Sequence, residues 1–102
     1  MTSVSIEFAP EALEQIRAVH DWWKDHRSAA PELFREEVAA TLEIIKSSPS
    51  AAKTYPFPAI PGLRRILMPR TRYHLYFSLH DQGKLIFVHA LWHTSRGQGP
   101  KL

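Results

Sequence analysis

Residues 73–92 read YHLYFSLHDQGKLIFVHALW, and this stretch decides the fold. Tyr73, Leu75, Phe77 and Leu79 alternate with His74, Tyr76, Ser78 and His80, the period of two that sets one side of a β-strand against a core. Asp81, Gln82 and Gly83 interrupt the pattern as a hairpin turn, with Gly83 available for a left-handed conformation. From Lys84 to about Trp92 the run is apolar on both sides, through Leu85, Ile86, Phe87 and Val88, as expected of a central strand. Immediately upstream, Leu63 to Met68 reads as another strand, turned into Tyr73 by Pro69, Arg70, Thr71 and Arg72.

The other half of the chain supplies what such a sheet needs to cover it. Val4, Ile6 and Phe8 alternate with Ser3, Ser5 and Glu7 as a half-buried strand. A helix follows from about Pro10 to Arg27, opened by a proline at its permitted first turn. Leu13, Ile16, His20 and Trp23 form its apolar stripe, widened by Val19 and Trp22. A second helix starts at about Pro31, with Phe34, Val38, Thr41, Leu42 and Ile45 on one face, and the short link at 28–30 makes the pair an antiparallel hairpin. Residues 47–62, SSPSAAKTYPFPAIPG, carry four prolines and three serines, which excludes a long regular element. Tyr55, Phe57 and Ile60 make this an ordered loop packed along the domain.

The expected architecture is therefore α+β, in the order β-α-α-β-β-β, with the helical hairpin on one face of a mostly antiparallel sheet and the other face open. The 102 residues suit a single domain. A mobile tail is expected from about residue 96, in HTSRGQGPKL. No stretch approaches the ~20 apolar residues that span a bilayer, and the N-terminus has no signal-peptide pattern. The expectation is a cytoplasmic protein that neither enters nor binds a membrane.

Charge is distributed unevenly. Residues 1–45 hold four Lys/Arg against nine Asp/Glu, while residues 46–102 hold nine Lys/Arg against Asp81 alone and four of the six histidines. Such a half suits an anionic partner, either nucleic acid or an acidic protein segment. Solvated helix faces account equally well for the acids of the first half.

Several chemistries are excluded. There is no cysteine, so thiol catalysis and disulfides are impossible. There is no Gly-x-Ser-x-Gly elbow and no glycine-rich phosphate loop. His89 and His93 lie about 13 Å apart along one strand, too far to share an ion, and His20 and His26 fall on different helix faces. No metal and no cofactor is expected; a metal site would have to draw ligands from separate elements.

The remaining candidates sit on the open sheet face. Arg65, His74 and Tyr76 share it if strand alternation holds, with Arg72 and Arg96 at the rim and His93 at the end of the last strand. Such a group can clamp a phosphate and stack on a base, and an imidazole near neutral pKa can move a proton. The ordinary alternative is that His74 and Tyr76 are there for β-propensity alone.

These residues also resemble a known family. APEALEQI at 9–16, Ser48-Pro49 closing the second helix, PGLRRIL at 61–67, RYHLYF at 72–77 and VHALWHTSR at 88–96 are similar, in order and spacing, to toxins of the RelE/ParE superfamily, the plasmid stabilization proteins. The resemblance implies the β-α-α-β-β-β fold and a toxin neutralised by a cognate antitoxin. It also implies oligomers formed through the antitoxin complex. The antitoxin segment is expected to bury apolar surface near Trp22 and Tyr55. RelE-like members are ribosome-dependent mRNA endoribonucleases; ParE-like members inhibit DNA gyrase. Arg65 matches a basic RelE-like position, but Leu67 stands where another would be. His74 replaces a catalytic arginine after the family tyrosine that Tyr73 matches, Thr94 falls near a further expected arginine, and no tyrosine follows Arg96. Trp92, His93 and Arg96 look ParE-like. The expectation is a gyrase inhibitor with Arg64, Arg72, Tyr76, Trp92 and Arg96 as binding residues. Alternatively it is a ribonuclease acting on mRNA at the ribosome, with Arg65, His74 and His93 as its catalytic residues.

Overall fold

The computed structural model describes residues 3–96, 99, 100 and 102. Its elements run β1 (Ser5–Phe8), α1 (Pro10–His26), α2 (Leu33–Ser47), β2 (Lys53–Thr54), β3 (Arg64–Met68), β4 (Tyr73–His80) and β5 (Leu85–His93). The sheet order is β1-β5-β4-β3-β2. β1 is parallel to β5 and every other pairing is antiparallel. The expected α+β order holds, with β2 as an addition: a two-residue edge strand inside the proline-rich loop, pairing Lys53 with Arg65 and Thr54 with Arg64.

α1 starts where the chemistry of proline requires. Ala9 is extended, at φ −61 and ψ 146, as the residue before a proline must be, and Pro10 takes the first turn. α2 starts two residues later than expected. Ala30 N–H donates to the Arg27 carbonyl and Leu33 N–H to that of Ala30, so Pro31 belongs to successive turns rather than to the helix.

The main core lies between the helices and the sheet. Phe34, Val38 and Ile45 of α2 and Ala12 of α1 meet Met68, Leu75, Phe77, Ile86, Val88 and Leu91 of the strands. At ~25 cal/mol per Å2 of apolar surface this burial is the dominant favourable contribution. Glu37 is a charged exception at 8% exposure. Its carboxylate accepts from the backbone N–H groups of Arg70 (2.7 Å) and Thr71 (2.8 Å) and from the Thr71 hydroxyl (2.6 Å), tying α2 to the β3–β4 turn.

The opposite face departs from expectation, because it is partly covered. Leu63, Tyr76 and Ala90 are buried there beneath Tyr55, Phe57, Ile60, Trp92 and Leu102. The apolar residues of the proline-rich loop have nowhere else to go, so the loop folds onto the sheet. The expected mobile tail falls partly at residues 97, 98 and 101, outside the described residues; Pro100 is buried and Leu102 joins this second cluster.

Candidate functional site

The antiparallel register brings one group of side chains together. Arg65 pairs with Tyr76 and Leu67 with His74 across β3 and β4. His74 pairs with Trp92 across β4 and β5. Directly opposed residues share a face, so Arg65, His74, Tyr76 and Trp92 lie on the loop-covered side. Lys53 joins them through its pairing with Arg65, and a groove of about 400 Å3 is lined by Ala51, Lys53, Arg65, Ile66, Leu67 and His74.

Arg65 is held before any ligand arrives. Its guanidinium lies 5.0 Å from the Tyr55 ring centroid and donates a long hydrogen bond, 3.4 Å, to the Tyr76 hydroxyl. Arg72 stands in the turn at φ +69, a left-handed value that is costly for a residue with a Cβ. Its N–H donates to the Met68 carbonyl, and its own carbonyl accepts from Thr94. Arg96 lies near the same turn, with its guanidinium 4.0 Å from the Trp92 ring centroid.

Burial holds the His74 imidazole below its ordinary pKa, and the positive charges of Arg65 and Arg72 push it the same way. It is therefore a neutral base at pH 7 with cations on two sides. Among the described residues the ion pairs are Glu32–Arg35 and Glu43–Lys46, both on or beside α2. No carboxylate neutralises Lys53, Arg65, Arg72 or Arg96 among those residues. Uncompensated cations grouped on one face form a surface for a polyanion or an acidic peptide.

Three expectations need correction. Tyr76 is only 1% exposed, edge-on to Tyr55 at 5.1 Å, so it is scaffold rather than a stacking surface. His93 is not with Arg65 and His74. It pairs with Tyr73, one residue out of phase, and so faces the helices. There it packs edge-on to Tyr73 at 4.8 Å and lines a pocket of about 610 Å3 with Trp22, Trp23, Arg27 and Arg70. Its Nδ1 accepts from the Ser95 N–H at 3.1 Å, which leaves the proton of the neutral ring on Nε2. Arg64 likewise pairs with Phe77, a residue of the helix-side core, and stands apart from Arg65. Lys53 and Glu37 were missed from the sequence. Lys53 sits in a proline-rich stretch with no strand period, and Glu37 follows Glu36 with nothing to mark which acid turns inward.

Solved structures share this fold. The chromosomal ParDE system of P. aeruginosa superposes with a TM-score of 0.64 at 16% identity, covering 91% of this chain and 98% of that one. The isolated E. coli RelE toxin gives 0.60 at 20% identity, covering 94% and 89%. The RelBE2 toxin–antitoxin complex of Mycobacterium tuberculosis gives 0.59 at 15% identity, covering 93% and 95%. Among curated proteins no relative matches by sequence. The family model of the ParE toxin of the type II toxin–antitoxin system parDE matches residues 6–97. With that match over nearly its whole length, the chain belongs to the ParE toxin family of type II toxin–antitoxin systems.

Proposed function

We propose that this toxin acts by binding rather than by cutting, with DNA gyrase as its target and a cognate antitoxin as its inhibitor. The observation that carries the reading is the separation of His93 from Arg65 and His74 by the sheet. Cleavage through a 2′-hydroxyl needs a base and an acid on either side of one phosphate, and these two histidines cannot serve one phosphate together. What remains on the loop-covered face is a cationic surface of Lys53, Arg65, Arg72 and Arg96 around a neutral His74, suited to holding an anionic partner.

The antitoxin reading draws on the similar folds, several of which are toxin–antitoxin complexes. Trp22 is 44% exposed at the rim of the pocket on the helix side, which gives an antitoxin segment apolar surface to bury.

The deciding experiment is expression of the chain in bacteria with parallel readouts of protein synthesis and DNA damage, beside supercoiling by purified gyrase. The expected result is a DNA-damage response, with translation initially intact and supercoiling inhibited. Normal supercoiling at excess toxin overturns the gyrase target. One observation favours a ribonuclease instead: the neutral His74 between Arg65 and Arg72 is equipped as a base beside a phosphate clamp. Early translation arrest with cut mRNA, lost in both Arg65→Ala and His74→Ala, selects that reading.

A further inference from the structure

The sheet is incomplete at one place on its β3 edge. β2 pairs only with Arg64 and Arg65 of β3. Just before β2 the chain leaves the ladder for a 3-10 turn at Pro49–Ala51, where Ala51 N–H donates to the Ser48 carbonyl at 2.9 Å and Ala52 N–H to that of Pro49 at 3.1 Å. Extending the register from Lys53↔Arg65 sets Ala51 opposite Leu67, and that pair does not form. The Leu67 backbone points into this gap. The Leu63 carbonyl accepts from Tyr55 N–H on the β2 side, while the Met68 carbonyl accepts from Arg72 N–H on the β4 side. Backbone groups alternate in direction along a strand, so Leu63, Arg65 and Leu67 turn theirs outward. Among the described residues, no backbone group bonds to Leu67 from that side. Pro69, which has no N–H, ends the edge.

Two grooves meet at this edge. On the loop-covered side lies the groove that carries Lys53, Arg65 and His74. On the helix side a second groove of about 400 Å3 runs between α2 and β3, lined by Ala40, Ile44, Ile66, Leu67 and Pro69, with Glu36 also on its wall. Ile44 is 47% and Leu67 38% exposed, high values for large apolar side chains. One side of the edge is thus cationic and the other apolar. Alternate residues of an extended strand point to opposite sides.

We propose that the β3 edge at Leu67 takes an extended protein segment with one acidic residue between two apolar ones, added to the sheet as a further short strand. The acidic residue stands opposite Leu67 and exchanges N–H···O bonds with its backbone. Its side chain shares the face of Leu67 and His74 and lies two residues from the position of Lys53, ~7 Å along the strand direction. The apolar neighbours turn to the helix side, over Ile44 and Ile66. Charge fixes the register, because a slip of one residue carries the acid to the side of Glu36 and the apolar groups to the cations. Charge also selects against a second copy of this chain, which would add its own Lys53 and Arg65 to a face already cationic. The proposal rests on the reading of the loop-covered face as a surface for an anionic partner and adds the backbone mode and the side-chain pattern of that partner; it holds whether or not gyrase is the target.

The probe is a capped five-residue peptide with glutamate at its centre and valine on each side of it, titrated into the full chain and followed by NMR of the backbone amides. The expected result is a saturable shift and slowed hydrogen exchange at Leu67, with shifts at Ile44 and Lys53, while Ile6 and Phe8 on the opposite edge of the sheet stay in place. Methylating the glutamate nitrogen of the peptide removes one ladder bond without altering the protein, and binding weakens about tenfold or more. Lys53→Glu and Ile44→Ser in the toxin each weaken it by roughly three- to tenfold. A polyglutamate chain, which has the charge but no apolar neighbours, separates the two readings. Polyglutamate that binds while the peptide does not, or peptide binding indifferent to both methylation and Ile44→Ser, overturns strand addition and leaves the cationic surface standing. Failure of both ligands overturns the two together. Leu67 shifts that appear on concentrating the toxin alone mark pairing between copies and overturn the assigned occupant.

Discussion

Replacing Glu37 by glutamine tests the tie between α2 and the β3–β4 turn. The glutamate accepts three hydrogen bonds at 2.6–2.8 Å, two on Oε1 and one on Oε2. Glutamine has the same shape, and its carbonyl can keep the two bonds from Thr71. Its NH2 group then faces the Arg70 N–H, donor against donor. Leaving a buried donor unpaired costs about 1–3 kcal/mol, and the two surviving bonds each lose roughly 1 kcal/mol of charge assistance. Arg70 itself is exposed, so water can reach that side and the unpaired N–H belongs at the low end of the range. The sum is about 3 kcal/mol, a large part of the ~5–15 kcal/mol that holds a domain together. For a chain of 102 residues that lowers the unfolding midpoint by roughly 12–24 °C. The assay is thermal unfolding followed by circular dichroism, with urea unfolding to confirm that the midpoint moves while the slope does not. A fall of less than ~4 °C, equivalent to under about 1 kcal/mol, refutes the idea that this carboxylate anchors the turn bearing Arg72.

Three further outcomes follow from the same geometry. His74 has a folded pKa below its unfolded value of ~6.5, so the fold disfavours its protonation; its contribution is neutral above that pH and destabilising as pH falls from there through the folded pKa. Arg65→Ala raises the His74 pKa, read directly by NMR titration, and shrinks this acid sensitivity; an unchanged pKa sinks the electrostatic account. Arg72→Gly removes the positive-φ cost and adds unfolded-chain entropy, so stability stays within about 1 kcal/mol. Toxicity falls nonetheless if the Arg72 guanidinium binds the target, and a fully toxic variant removes Arg72 from the site. Tyr76→Phe costs under about 1 kcal/mol because its bond to Arg65 is long, whereas Tyr76→Ala empties a buried site at about 3–5 kcal/mol. Equal midpoints for the two variants contradict the role of Tyr76 as scaffold.

Legibility divides along the range of the interactions involved. The alternation in β4, the Gly83 turn and the helical stripes of Leu13-Ile16-Trp23 and Phe34-Val38-Ile45 are local patterns, and each marks its element in the chain itself. Strand parity by itself also places Arg65, His74 and Tyr76 on one face. It fails for His93, because the strand parity of β5 is broken by the bulge opposite Tyr76 and Phe77. It says nothing of Tyr76's burial, because the covering residues Tyr55, Phe57 and Ile60 come from a loop without period.

Residue type and short-range spacing were enough for the main elements other than β2, their order, the cationic character of the second half and the exclusion of thiol chemistry. Tertiary structure alone decided which cations meet. It put Lys53 beside Arg65, withdrew His93 to the helix side, buried Glu37 under a turn more than thirty residues away and gathered Ser78, His80 and His89 around one hydroxyl. The physical reason is that register and bulges are set by cross-strand pairing and by which apolar groups find cover. Those are properties of the packed sheet rather than of any one stretch of chain.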